Sequence, residues 1–121
     1  MGIVYADLTL FSAEGSRSAT FHLIADTGAL WTWLPADALA RLDIMPSATE
    51  KFRTIDGRDI FRKVTDAPVE CVGRRGIRRI VFAEPGDLIV LGADTMEGLG
   101  LEVDPVHRRV KPMDAVPAYA A

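Results

Sequence analysis

Period-two alternation opens the chain. Val4, Ala6, Leu8 and Leu10 fall on one side of an extended segment, and Tyr5, Asp7 and Thr9 on the other. That is the pattern of a strand with one buried face. Glu14-Gly15-Ser16 carries turn residues, and Ala19 to Ala25 is again rich in strand formers, so this stretch predicts a hairpin. Leu30 to Leu34, which holds both Trp31 and Trp33, predicts another short extended piece. The period then changes. In Pro35-Ala36-Asp37-Ala38-Leu39-Ala40-Arg41-Leu42 a proline suits the first helical turn, and Leu34, Ala38 and Leu42 share one helical face.

Ser47 to Lys51 reads as a polar loop. Phe52 to Ile55 and Arg58 to Phe61 flank Asp56-Gly57, a pair that supplies the left-handed conformations of a tight reversal, so a second hairpin is expected. Val69 to Val72 and Ile77 to Ala83 are strand-like, joined by Gly73 to Gly76. Pro85-Gly86 is a turn, and Leu88-Ile89-Val90-Leu91 is a short, fully apolar strand. Ala93 to Leu99 has the length of a short helix stopped by Gly98 and Gly100. Leu101-Glu102-Val103 and Arg108-Arg109-Val110 form a last hairpin around Asp104-Pro105. No repeat of fixed period is visible. Seven or more strands and two short helices predict a mainly β, closed barrel-like fold.

Composition narrows the class. A chain of 121 residues is one domain by length, and 49% hydrophobic residues are enough for a core. The predicted domain runs over residues 1–113, with 114–121 as a C-terminal tail. A net charge of −3 argues against a surface built as a whole to hold nucleic acid. The single cysteine, Cys71, excludes an intrachain disulfide framework. No apolar run approaches a membrane span, and the N-terminus lacks a basic region ahead of its apolar stretch, which Asp7 interrupts. A cytoplasmic protein with no membrane partner is the expectation.

One run carries chemistry. In Phe21-His22-Leu23-Ile24-Ala25-Asp26-Thr27-Gly28-Ala29 an apolar strand delivers a carboxylate into a water-poor place. Gly28 allows a sharp turn and close approach by another chain, and the Thr27 hydroxyl is placed to lock the loop. As a bare tripeptide, Asp-Thr-Gly is an ordinary turn at a strand end. A second run changes its weight: Leu88-Ile89-Val90-Leu91-Gly92-Ala93-Asp94 places an apolar strand, a glycine and a short helix later in the chain, followed by Gly98-Leu99-Gly100-Leu101-Glu102-Val103-Asp104-Pro105.

With these two runs in this order, the sequence resembles the retroviral-type (retropepsin-like) aspartic proteases, in particular small bacterial members, over roughly residues 3 to 112. The resemblance implies a homodimeric endopeptidase. Each chain would supply one catalytic aspartate, here Asp26, with Thr27 bracing the loop and Gly28 and Ala29 beside the substrate backbone. The two carboxylates would share a proton, because like charges in contact cannot both ionise. One would take a proton from water while the other donates to the scissile carbonyl oxygen. This chemistry asks for no metal and no cofactor, and the partner would be a peptide or protein substrate. Thr54-Ile55-Asp56-Gly57-Arg58-Asp59 falls where the family places its flap, with Gly57 at the tip. Ala29, Leu30, Ile55, Asp56, Gly57 and Arg58 are then the candidate substrate-binding residues. Terminal strands, Ile3 to Leu10 and Arg108 to Met113, would supply much of the dimer contact.

Two departures stand out. Retroviral members often carry an acidic residue after Asp-Thr-Gly-Ala and an arginine before the helix; this chain has Leu30 and Ala93 there. The flap is charged rather than glycine-rich. A retropepsin-like dimer that is catalytically weak or inactive, and acts as a peptide-binding or dimerisation module, is therefore the competing reading. Asp94 reads as a helix cap rather than a second catalytic acid, since no glycine follows it.

Other readings weigh less. Gly73-Arg74-Arg75-Gly76 with Arg78 and Arg79 is similar to the loop of KH RNA-binding domains, but Pro68 and the strand formers Ile80-Val81-Phe82 disfavour the flanking helices. His22 and His107 lie far apart, without metal-ligand spacing. Cys71 has no recognisable catalytic partner. Trp31 and Trp33 fit substrate subsites, a subunit contact or core packing.

Overall fold

A computed structural model describes residues 2–118. The alternating N-terminus forms β1 (Tyr5–Phe11), which runs antiparallel to β2 (Ser18–Asp26) with Tyr5 opposite Ile24 and Phe11 opposite Ser18. Leu8 and Leu10 are fully buried, while Tyr5 and Asp7 face outward, as the period requires. β3 (Thr32–Pro35) is short and leads into α1 (Ala36–Arg41), where Pro35 occupies the N-cap and Ala38 and Leu39 are buried.

The segment after α1 departs from the sequence reading. Ser47 to Lys51 is not a loop: β4 (Ala48–Arg53) takes most of it, paired with β5 (Asp59–Cys71). The polar composition hid a half-buried alternation of Glu50 and Phe52. β5 is one long strand that passes through Pro68. The ladder between β1 and β5 covers Leu8 to Leu10 against Cys71 to Val69 and stops beside Pro68, where a missing N–H costs least. The connection to β6 (Arg74–Ala83) is also tighter than expected. Val72 and Gly73 alone make the turn, both left-handed at φ 49° and 76°, and Arg74 to Gly76 are already strand. β7 (Val90–Gly92) enters α2 (Ala93–Gly98), and β8 (Leu101–Asp104) pairs with β9 (Arg109–Pro112) as a separate ribbon.

The main sheet runs β1-β2-β7-β3-β6-β5-β4, and pairing between β1 and β5 closes six of these strands into a barrel. The mainly β, barrel-like expectation therefore holds. Leu8, Leu10, Leu34, Leu39, Ile80, Leu91 and Leu101 are the large side chains sealed in the centre. Each contributes about 1.5–3 kcal/mol by leaving water. β4 lies outside the closed barrel and pairs only with β5, so β4 and Asp59 to Lys63 project as a two-stranded arm. No helix is long and apolar enough to cross a membrane among the described residues. Of the expected tail, Asp114 to Ala118 has no regular structure, and residues 119–121 lie outside the described residues.

Candidate active site

Asp26 is the last residue of β2, and its parallel neighbour in register is Gly92, the last residue of β7. Two strands thus end side by side; one gives way to the loop 27–31 and the other to α2. The Gly28 N–H donates to Asp26 Oδ1 at 2.9 Å, and the Ala29 N–H donates to the Asp26 carbonyl at 3.1 Å. Asp26 Oδ2 has no hydrogen-bond partner among the described residues, and the side chain is half-buried. One oxygen is fixed by the backbone while the other has no such bond. A Cβ at residue 28 would stand 3.1 Å from Asp26 Oδ1, so glycine here serves close approach; its φ is not left-handed, contrary to a sharp-turn role.

The loop is tied to α2 by backbone bonds. The Ala93 N–H donates to the Ala29 carbonyl and the Asp94 N–H to the Leu30 carbonyl, both at 2.8 Å. Behind them, Thr32 Oγ1 accepts the Gly92 N–H at 2.9 Å and lies 2.6 Å from Thr95 Oγ1, both side chains wholly buried. Gly92 is obligatory for this contact, because a Cβ there would sit 2.4 Å from the Trp31 carbonyl carbon and oxygen. Within this chain the loop is braced by Thr32 and Thr95. Thr27 is exposed, and its hydroxyl has no hydrogen bond among the described residues. Asp94 is likewise not a cap. Gly92 holds the N-cap position without a side-chain bond, and the Asp94 carboxylate faces Arg78 at 3.7 Å in the first helical turn.

A cleft of about 640 Å³ opens beside Asp26. Gly28, Ala29 and Leu30 line it on the loop side, Glu50 to Thr54 and Ile60 on the arm, and Gly86, Asp87 and Leu88 on the segment before β7. Trp31 and Trp33 both line it, packed on Phe52 with ring centroids 5.8 and 5.0 Å away. Of the three roles open from sequence, a place in the buried core is not taken: both tryptophans line the cleft. Ala29 and Leu30 join Asp26 there. Ile55, Asp56, Gly57 and Arg58 do not line the cleft; they form the exposed tip of the arm, with Gly57 left-handed at φ 86°. Their polar groups serve the tip itself. Thr54 Oγ1 donates to Asp56, Arg58 Nε donates to Asp56 Oδ2 at 3.0 Å, and the Arg58 N–H donates to Thr54 Oγ1 at 3.0 Å. The hydroxyl of Thr54, then Arg58, hold the Asp56 carboxyl below its usual range.

Arg62 and Asp87 are functional candidates that the sequence pattern did not reveal. Arg62 Nε and Nη2 donate to the two Asp87 carboxylate oxygens at 2.7 and 2.9 Å, which lowers the Asp87 pKa from its ordinary value. The two lie 25 positions apart, and only the fold joins them.

The remaining candidates are occupied elsewhere. Arg74, Arg75, Arg78 and Arg79 have intrachain partners in the Leu99 carbonyl, Glu70, Asp94 and Asp66 respectively. His22 pairs with Asp7 and stacks on Tyr5, and His107 pairs with Asp104. The His107 side chain, then its backbone N–H, hold the Asp104 carboxyl at about 2. Burial pushes the Cys71 thiol up to about 11, which suppresses the nucleophilic thiolate. No three His, Cys, Asp or Glu side chains gather as a metal-binding set among the described residues. Compared with known proteins, the chain matches no family model and no curated protein sequence.

Proposed function

We propose that the chain is an aspartic endopeptidase that works as a homodimer, with Asp26 and Asp26 of a second copy forming one catalytic centre. The observation that carries this reading is the anchored carboxylate: one oxygen held by the Gly28 N–H, the other unpartnered, beside a peptide-sized cleft. A single chain offers one such carboxylate in that cleft next to an Asp-Thr-Gly loop, so the shared-proton chemistry needs the second copy. Leu30 and Leu88, 65% and 75% exposed at the cleft, supply apolar surface for a substrate or the second copy.

The proposed reaction conserves its atoms simply. The ionised carboxylate takes a proton from a water held between the pair, and the water oxygen bonds to the scissile carbonyl carbon. The protonated partner gives its proton to the carbonyl oxygen, forming a neutral tetrahedral diol. Collapse of the diol breaks the C–N bond, with a proton passing to the leaving nitrogen.

One observation favours the module reading as well. The tip of the arm stands outside the cleft wall with its charges turned on themselves, so it excludes no water as placed. Cleavage of a mixed peptide library by wild type and Asp26→Asn, with the mass of each in solution, separates the two readings. The protease reading expects a dimer that cuts and an Asp26→Asn dimer that binds without cutting. If neither protein cuts and both bind extended peptides, the module reading takes its place.

A further inference from the structure

We propose that Arg62 and Asp87 form a latch at the root of the arm, which fixes the angle between the arm and the segment before β7 and thereby sets how far the cleft opens. The inference concerns the same cleft as the protease reading, but its geometry does not involve cleavage. β5 and β6 are paired from Cys71 opposite Arg74 to Val64 opposite Val81. Beyond that point they fork. β6 stays in the barrel against β3, with Ala83 opposite Pro35, while β5 leaves with β4 as the arm. Arg62 lies just past the fork on β5, and Asp87 lies in the turn that follows β6, so their ion pair spans the opening of the V.

The pair is built for this position. The Arg62 and Asp87 side chains are 16% and 14% exposed, whereas the arm's other ion pairs, Arg53–Asp59, Arg58–Asp56 and Glu50–Arg79, are more open to water. Asp87 uses three of its roughly four acceptor sites. Oδ1 takes Arg62 Nη2, and Oδ2 takes Arg62 Nε together with the Glu84 N–H at 2.8 Å. Asp87 acts as a positioning residue: its bonds tie the turn after β6 to Arg62. Glu84, 3.7 Å from Arg62 Nη1, adds a second, more exposed acid. Among the described residues, no other side-chain hydrogen bond or ion pair joins residues 84–88 to the arm. The segment has little else behind it: a second hollow of about 500 Å³ lies on its far side and shares Gly86 and Asp87 with the cleft. A thin wall between two hollows moves unless something holds it, and a planar guanidinium bonded at two points holds both distance and direction.

Both tryptophans of the chain line the cleft, so intrinsic fluorescence reports its opening without any need for activity. The test compares wild type, Asp87→Asn, Arg62→Gln and Arg62→Lys. Asp87→Asn keeps the shape and an acceptor for the Glu84 N–H, so it remains informative if Arg62→Gln fails to fold. Acrylamide quenching of Trp31 and Trp33 is expected to rise about twofold in Asp87→Asn and Arg62→Gln, with an intermediate value for Arg62→Lys, whose single ammonium cannot reproduce the fork. Affinity for a statine-containing pentapeptide is expected to fall about tenfold, the factor carried by one charge-assisted hydrogen bond. Hydrogen exchange is expected to quicken in residues 48–63 and 84–89 and to stay unchanged in β1 and β2. If folded variants show wild-type quenching, or if exchange quickens evenly over the barrel, the latch is overturned. If the statine peptide fails to bind wild type while quenching follows the expected order, the protease reading fails and the latch stands.

Discussion

The loop that carries Asp26 and the arm that faces it across the cleft are held by opposite means. The loop is fixed by backbone bonds from Ala93 and Asp94 and by the sealed Thr32–Thr95 hydroxyl pair. The arm is held in its outer half by exposed ion pairs, Arg53 with Asp59 and Arg58 with Asp56, and at its root by the partly buried Arg62–Asp87 pair and by Glu50 facing Arg79. Buried, directional bonds in a low-dielectric interior rigidify, whereas surface ion pairs contribute little. One side of the cleft is thus a fixed reference for the carboxylate, and the other is tied mainly by side-chain contacts, of which the Arg62–Asp87 pair is the best sheltered ion pair. On the proposed protease reading, a cleft that admits a chain and then surrounds it needs this asymmetry.

The contrast breaks most completely at Gly92. Gly92→Ala drives a methyl group into the Trp31 carbonyl, and unfolding in urea is expected to show a loss of roughly 3 kcal/mol or more. Thr95→Val keeps the volume but leaves Thr32 without its hydroxyl partner; the same measurement is expected to show a loss of about 1–2 kcal/mol.

The arm's root responds to pH. Arg62 depresses the Asp87 carboxyl below its ordinary 3.8, so its stabilising contribution is complete above that value and is lost as pH falls through the lower folded value. Urea titrations of wild type and Asp87→Asn should therefore differ at neutral pH, by about 1.5–3 kcal/mol, and converge on acidification below pH 3.8. A gap that stays constant down to strong acid would mean that the pair is not electrostatic. The smallest effect belongs to the outer arm. Arg53→Ala removes an exposed pair and is expected to change stability by no more than about 0.5 kcal/mol. A loss as large as that of Thr95→Val would erase the distinction between the two sides.

What was legible in the sequence follows the range of the interactions. The β1–β2 hairpin was readable because its alternation is local, and α2 because glycines bound it. Asp26 stood out because an apolar run ends there, Ala29 and Leu30 came only from the family resemblance, and all three line the cleft. β4 was missed in part because its cleft-facing residues include Glu50, a charge at a half-buried position. Thr32 and Thr95 are 63 positions apart, and nothing in their neighbours marks either hydroxyl as buried. The cap expected of Asp94 went to Gly92 for the same reason: which group meets a backbone N–H is settled by how two strand ends sit side by side. The arm's tip was correctly placed as a turn, but its polar groups satisfy one another instead of facing the cleft.

Mixing tests the shared centre most directly. Wild type and Asp26→Asn chains are combined and allowed to exchange partners, and peptide cleavage is measured per wild-type chain. If two copies each lend one acid, an equal mixture should retain about half the activity per wild-type chain, and excess variant should drive it toward zero. Activity per wild-type chain that stays constant at every ratio would show that one chain cuts alone, and the account would be wrong.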